Sequence, residues 1–204
     1  MKSGHKAQGF SLIELMFVIA IVLIISGAAL IQITSSMKNA RAEAGLQTTL
    51  GQLRNARGLA IDQRRIYRLS LIAPRTIQLD QVVVDPVTKI QAIVFVSSID
   101  LPRDTQFAAI SGIPTSGSGT PPDGLPTTGA DIDFSLDFGG GGTQIFFQRD
   151  GRALDASNRL NNGVVYVARP GELMSSRAVS VLGATGRVKG WRLIQRGTKV
   201  VWTE

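Results

Sequence analysis

The chain opens with a short polar segment that is followed by a long apolar run. Residues 1–9 contain Lys2 and Lys6 and no acid, whereas residues 15–37 contain no charged side chain at all. A helix of about 20 apolar residues crosses the hydrocarbon core of a bilayer. The pattern therefore predicts a membrane-spanning helix over residues 10–33 with a cytoplasmic N-terminus. A plain signal anchor has the same pattern, whereas a secretory signal has an apolar stretch of only about 7–15 residues.

Residues 34–65 continue the helical pattern with a different distribution of side chains. This segment contains no proline and is rich in Ala, Leu, Gln and Arg, which are acceptable or good helix formers. Its apolar positions recur at spacings near three and four, at Met37, Ala40, Ala44, Leu46, Leu50, Leu53 and Ala60. The spacing predicts an amphipathic helix with one buried face, which a β-sheet would cover.

Beyond residue 65 the apolar positions alternate, and the alternation predicts strands. Short β-branched and aromatic runs are bounded by Gly, Asp and Pro, as in antiparallel sheets. The predicted strands cover residues 67–71, 76–84, 92–96, 132–138, 144–148, 164–168, 178–182, 188–195 and 199–202. A long helix followed by many strands predicts an α+β fold, with a β-rich domain over residues 66–204.

Two segments within this region are rich in glycine. Residues 111–129 are nearly all Gly, Pro, Ser and Thr, so we predict a mobile surface loop. Residues 139–142 are four consecutive glycines between two predicted strands. A phosphate-binding loop would need a following Lys-Ser/Thr and a helix, and both are missing. We therefore predict a flexible hairpin turn at residues 139–142.

The composition argues against an enzyme. The chain has no cysteine, and its one histidine, His5, lies in the polar N-terminal segment. Disulfide scaffolds, zinc knuckles, iron–sulfur clusters and thiol nucleophiles are excluded, and we expect neither a cofactor nor a metal. Asp131, Asp133 and Asp137, at odd spacing along a predicted strand, are candidate calcium ligands. A calcium site needs six to eight oxygens, so we predict an outward polar strand face there.

Glu14 is an acid within the otherwise apolar run. A carboxylate near the centre of a membrane helix costs about 2.5–3.5 kcal/mol on insertion scales. Three explanations are open. Ser11 and Glu14 have the spacing of a capping box, Glu14 could extend to the membrane interface, or it could pair with a cation of another subunit, such as a free N-terminal amine.

Residues 9–15, Gly-Phe-Ser-Leu-Ile-Glu-Leu, resemble the class III leader of type IV pilins and type II secretion pseudopilins. The resemblance implies that a prepilin peptidase removes residues 1–9 by cutting after Gly9 and methylates the new N-terminal Phe10. Glu14 would then be the acid that helps to dock the subunit in the filament. The implied partners are the prepilin peptidase and other pilin or pseudopilin subunits. The implied location is the bacterial inner membrane, with the C-terminal domain in the periplasm.

Short motifs in the β-rich region narrow the resemblance. Residues 147–151 (Phe-Gln-Arg-Asp-Gly), 164–167, 178–181 and 185–188 are similar to the C-terminal domain of GspH/FimT minor pilins. That family implies a low-abundance subunit at or near the tip of a type IV pilus or a type II secretion pseudopilus. The sequence does not distinguish between the two machines.

The net charge of +7 is distributed unevenly, because residues 173–203 carry basic side chains and no acid. Some FimT-type minor pilins are similar in carrying a Gly-Arg-x-Arg motif that binds DNA during uptake, which corresponds here to residues 186–189. Arg187, Lys189 and Arg192, near Trp191, are therefore the candidate DNA-binding residues. The alternatives are a solvated strand face with Trp191 in the core, or contact with acidic neighbours. A third option is attraction of the basic charges of residues 37–68 to anionic lipid or neighbouring subunits.

Overall fold

The computed structural model describes residues 11–85, 87–88 and 90–204, with the backbone alone for residues 28–36 and 38. The chain divides into two compact units, Met1–Lys38 and Asn39–Glu204, and each is described by itself. One helix, α1 (Leu12–Asp62), contributes to both units. Gly9 and Phe10, between which cleavage is predicted, lie outside the described residues.

In the first unit, the described side chains from Leu12 to Gly27 are all exposed. They include the large apolar groups of Leu12, Phe17 and Ile24, with 77%, 66% and 73% exposure. Over the part of the chain that the structure describes, no helical stretch is both long and apolar enough to cross a membrane. The membrane-spanning role of residues 10–33 stays a prediction.

In the second unit, α1 ends three residues before the predicted boundary at residue 65. Arg64 adopts a left-handed backbone with φ 52°, and the Arg65 N–H donates to the Ala60 carbonyl at 3.2 Å. This hydrogen bond and the left-handed residue are the features of a Schellman-type helix end. The chain is thereby redirected into the first strand.

Eleven strands follow among the described residues and form two antiparallel sheets, which confirms the predicted α+β fold. The five-stranded sheet has the order β3 (Gln91–Asp100), β2 (Thr76–Val84), β1 (Ile66–Ile72), β6 (Gln144–Phe147), β7 (Ala153–Leu154). The six-stranded sheet has the order β11 (Lys199–Thr203), β10 (Arg187–Arg196), β9 (Arg177–Leu182), β8 (Gly163–Ala168). At its other edge, β8 pairs with both β4 (Gln106–Phe107) and β5 (Ile132–Phe134).

Two strand predictions differ from the structure for local reasons. The strand predicted over residues 132–138 stops at Phe134, because Ser135 has a left-handed backbone and a 3₁₀ turn (Leu136–Phe138) follows. The two-residue strands β4 and β7 were not predicted. Two residues are too few to show an alternation of apolar and polar positions.

The main core lies between α1 and the inner faces of both sheets. Leu46, Leu50, Leu53 and Ala60 are buried there, as the helical spacing predicted. Met37, Ala40 and Ala44 are exposed, so the predicted apolar face is wrong at its N-terminal end. The buried face continues toward the N-terminus through Thr49, Gly45 and Ala42, because four-residue steps from Leu53 and Leu46 reach those positions instead.

Residues 111–129 pack against a second apolar cluster on the other face of the six-stranded sheet. Ile113 and Leu125 are buried in this cluster, beside Trp191 and Trp202. The Trp202 indole Nε1 also donates to the Pro114 carbonyl at 3.0 Å. The prediction of a surface loop is therefore wrong for Ile113 and Leu125, which are buried. The mobility of residues 111–129 stays a prediction.

Candidate functional site

Glu14 is the one predicted assembly residue that the structure describes. It lies in the first turn of α1 and its side chain is exposed among exposed apolar neighbours. A carboxylate in the first turn interacts favourably with the helix dipole. The helix thus presents one acid on an apolar surface, next to the segment in which cleavage is predicted.

The three candidate DNA-binding residues lie on one strand, β10, but on both of its faces. Side chains two residues apart share a face of a strand, whereas neighbouring side chains point to opposite faces. Arg187 and Lys189 are two residues apart and share one face. Arg192 lies on the opposite face, which packs on α1, since Gly190 on that face lies against Leu46 and Leu50.

Arg192 joins the six-stranded sheet to α1 through an ion pair. Its Nε donates to Oε2 of Glu43 on α1 at 2.9 Å, and its Nη2 donates to Oε1 of the same carboxylate. Arg177 of β9 adds an Nε–Oε2 contact of 3.4 Å. The hydrogen bond from Arg192 lowers the pKa of Glu43 to about 2 although partial burial opposes the shift, and the same bond raises the pKa of Arg192.

Arg187 and Lys189 each have a carboxylate partner. Arg187 Nη2 lies 2.7 Å from Oδ2 of Asp123 in the 111–129 loop, and Lys189 Nζ lies 2.5 Å from Oε2 of Glu204. The three candidates therefore neither converge on one surface nor present uncompensated charge. DNA binding through them stays a prediction that this arrangement does not favour.

Trp191 lies on the same face as Lys189 and is half-buried. Its indole Nε1 donates to the Ser180 hydroxyl at 2.9 Å, and Lys189 Nζ is 5.6 Å from the ring centroid. The ring packs in the second apolar cluster. This is the core position that the alternative interpretation of the sequence predicted.

The three candidate calcium ligands differ in burial. Asp131 and Asp137 are exposed, whereas Asp133 is 1% exposed, so the predicted outward polar face is wrong at Asp133. Its Oδ2 accepts hydrogen bonds from the Thr127 hydroxyl and from the Thr128 amide and hydroxyl at 2.9–3.1 Å. Within the described residues, no group of three or more His, Cys, Asp or Glu side chains could hold a metal ion.

The glycine run at residues 139–142 forms the other side of the Asp133 site. The Gly141 amide donates to Asp133 Oδ1 at 3.0 Å, and Gly142 pairs with Phe134. The segment is a turn, as predicted, but it is packed around an internal carboxylate. Sequence reasoning missed this contact because nothing in a run of glycines identifies the side chain that it encloses.

Sequence reasoning also missed a cleft between α1 and the turn that joins β9 to β10. Arg54, Arg57 and Arg187 line this cleft, which has a volume of about 660 Å³. The only sequence signal was a pair of arginines three residues apart, directly after the core residues Leu53 and Ala56.

Residues 4–30 match the family model for the prokaryotic N-terminal methylation motif. This match confirms that the N-terminal segment is of the prepilin type. No curated protein matches the chain.

Three solved structures are similar to the chain at low sequence identity. A crystal structure of the type IV minor pilin FimU of Pseudomonas aeruginosa is 12% identical and has a TM-score of 0.44, over 82% of this chain and 95% of FimU. A second crystal form of FimU is 12% identical and has a TM-score of 0.43, over 78% of this chain and 96% of FimU. The minor pseudopilin EpsH from the type 2 secretion system of Vibrio cholerae is 14% identical with a TM-score of 0.45, over 74% of this chain and 97% of EpsH.

Proposed function

We propose that this chain is a minor pilin or pseudopilin, a subunit that assembles into or primes a type IV pilus or a type II secretion pseudopilus. The match of residues 4–30 to the N-terminal methylation motif carries the proposal. A prepilin peptidase cuts after Gly9 and methylates Phe10. Residues 10–33 hold the subunit in the inner membrane with the N-terminus in the cytoplasm, and the β-rich unit lies in the periplasm.

The exposed apolar helix supports an assembly role. A helix that is apolar all round its circumference is normally buried in a membrane or a protein interior. In the first unit, the described apolar side chains from Leu12 to Ile25 are about one-half to three-quarters exposed. Lipid before assembly, and the helices of neighbouring subunits afterwards, are the surroundings that suit such a surface.

Glu14 supplies the specific contact in this proposal. Cleavage after Gly9 creates a new amine at Phe10, which is the cation that a carboxylate in an apolar environment requires. A buried carboxylate without a partner is strongly unfavourable, and pairing it offsets much of that cost. Glu14 of one subunit therefore neutralises the Phe10 amine of its neighbour, and the uncut chain does not assemble.

The finer parts of the proposal are the position in the filament and the absence of catalysis. A place at or near the tip is supported by the resemblance of residues 147–188 to GspH/FimT minor pilins. A structural, non-enzymatic role is supported by the composition, which leaves no histidine and no cysteine after leader removal. DNA binding for uptake remains the alternative, although the carboxylate partners of Arg187, Lys189 and Arg192 do not favour it.

The test is the substitution Glu14→Ala in cells that carry the matching filament machinery. We expect the variant to be cut after Gly9, seen as loss of the nine leader residues by mass spectrometry. We also expect sheared filaments to contain at least tenfold less of the variant subunit than of the wild type, because the Phe10 amine of the neighbour has no partner.

The matched control is Glu172→Ala, since Glu172 is an acid of the β-rich unit whose side chain is 41% exposed. It should enter filaments at the normal level. Normal incorporation of Glu14→Ala would disprove the docking role. A chain that keeps its leader in the presence of the peptidase would disprove the prepilin assignment itself.

A further inference from the structure

The cleft between α1 and the β9–β10 turn contains three arginines. Arg54 and Arg57 extend from α1, and Arg187 extends from the first position of β10. Leu182 and Val188 supply apolar surface at the same cleft. All of these residues belong to the second unit.

Within the described residues, the hydrogen bonds of the two helix arginines all go to neutral groups. Arg57 donates through Nε to the Gly151 carbonyl and through Nη2 to the Thr185 carbonyl, both at 3.1 Å. Arg54 donates through Nη2 to the Val188 carbonyl at 3.2 Å. In the described part of the chain neither guanidinium has a carboxylate within 4.0 Å, whereas ten other ion pairs meet that limit.

The position of these charges is fixed by the fold. Like charges three residues apart on a helix repel each other, so the pair is unfavourable unless an anion approaches. Gly186 packs so closely on this site that an added Cβ would lie 1.9 Å from the Gly151 carbonyl oxygen and 2.9 Å from Arg57 Nε. The turn and the Arg57 guanidinium therefore hold each other in place, and the cleft is formed before any ligand binds.

Arg187 also lines the cleft, but its side chain lies on the strand face opposite α1, where it pairs with Asp123. Its Nη2 contacts Asp123 Oδ2, and the side chain remains 47% exposed. The guanidinium group has five N–H donors in a planar fork that matches a carboxylate. The cleft thus offers unused donors of the Arg54 and Arg57 guanidinium groups beside an apolar surface.

We infer that this cleft binds the acidic side chains of a neighbouring subunit, and the inference rests on the proposed function. Leu182 and Val188 suit the methylene groups of a glutamate, which a bare phosphate lacks. The site is a concave cleft of about 660 Å³, and a rigid nucleic-acid duplex contacts cations that are spread along an open surface. The ligand is therefore an acidic peptide segment.

The test uses the full-length chain in mild detergent and a fluorescein-labelled hexaglutamate peptide, measured by fluorescence anisotropy at low salt. We expect Arg54→Gln to raise the Kd at least tenfold. Arg54 is exposed, and among the described residues its side chain makes one hydrogen bond, to a carbonyl, so the variant should fold normally. Arg103→Gln, at another exposed arginine, is the matched control and should leave the Kd unchanged.

Several outcomes would overturn the inference. Absence of hexaglutamate binding at low salt would do so, as would an equal loss of affinity in Arg54→Gln and Arg103→Gln. Tighter binding of a DNA duplex with the same dependence on Arg54 would assign the cleft to nucleic acid instead. Because this assay needs neither leader cleavage nor filaments, its failure is distinguishable from failure of the Glu14→Ala test.

Discussion

At the scale of single residues, Asp133 shows how one buried carboxylate organises a loop. It accepts hydrogen bonds from the 111–129 loop on one side and from Gly141 on the other. Gly139, Gly140 and Gly141 all have left-handed backbones with φ between 73° and 99°. An isolated buried carboxylate is costly, but hydrogen bonds from both loops satisfy this one.

A pair of glycine substitutions tests this arrangement. A Cβ at Gly140 would lie 2.5 Å from Asp133 Oδ1, whereas a Cβ at Gly141 would have no neighbour within 4 Å. Both alanine variants pay the left-handed backbone penalty, and only Gly140→Ala also crowds the carboxylate. We expect Gly140→Ala to lower the free energy of unfolding by about 1–3 kcal/mol more than Gly141→Ala, the usual cost of overpacking. Equal effects in urea titrations would contradict this account of the turn.

At the scale of elements, the Glu43 cluster joins α1 to the six-stranded sheet. Glu43 is on the helix, Arg177 is on β9 and Arg192 is on β10. The side chain of Glu43 is 33% exposed, so solvent weakens the pair relative to a fully buried one. The cluster fixes the helix on this sheet at the N-terminal end of the main core.

The lowered pKa of Glu43 predicts an acid-dependent loss of stability. Its pKa is about 2 in the folded chain against an ordinary value of 4.5. The contribution of Glu43 is therefore complete above pH 4.5 and is lost as the pH falls toward 2. With allowance for solvent screening, we expect Glu43 to contribute about 1–2 kcal/mol to the free energy of unfolding above pH 4.5.

Thermal unfolding of Glu43→Gln between pH 7 and pH 2 measures this contribution. The variant should be less stable than the wild type at pH 7, and the difference should shrink toward pH 2. Glu204→Gln is the control, because Glu204 is a 58% exposed partner of Lys189 and should have little effect. A difference that stays constant with pH would show that Glu43 acts through packing instead of charge.

At the scale of the whole molecule, one sheet edge is unusually apolar. Strand β3 ends the five-stranded sheet, and all ten of its residues are exposed. Ile93, Val94 and Phe95 are 52%, 48% and 62% exposed. The one charged residue of β3, Asp100, lies at its end. A long edge strand with so little charge is a template for pairing with another chain, which charged residues along the edge normally prevent.

We therefore expect Phe95→Lys to reduce concentration-dependent self-association of the full-length chain in detergent. The substitution should leave thermal stability nearly unchanged, because Phe95 is mostly exposed. Ser97→Lys places the same charge on the same strand without removing an apolar group and should have a smaller effect. Sedimentation velocity at several concentrations distinguishes the variants. An unchanged sedimentation profile for Phe95→Lys would show that the edge does not mediate self-association.

The sequence by itself determined the features that depend on neighbouring residues. Helix and strand periods follow from local backbone geometry, so α1, β1, β2 and β8 to β11 were predicted close to their observed bounds. The prepilin-type motif is equally local, because residues 4–30 match the N-terminal methylation motif as one continuous stretch. The predicted buried face of the helix was wrong at Met37, Ala40 and Ala44, which are exposed.

Only the tertiary structure decided which side chains meet. Alternation along β10 separates Arg192 from Arg187 and Lys189, but it does not identify Glu43, 149 positions away along the chain, as the partner of Arg192. Likewise, no local pattern places the glycine run around Asp133 or brings Arg187 to Arg54 and Arg57. These contacts depend on how the helix and the two sheets pack, and packing is set by many distant residues together.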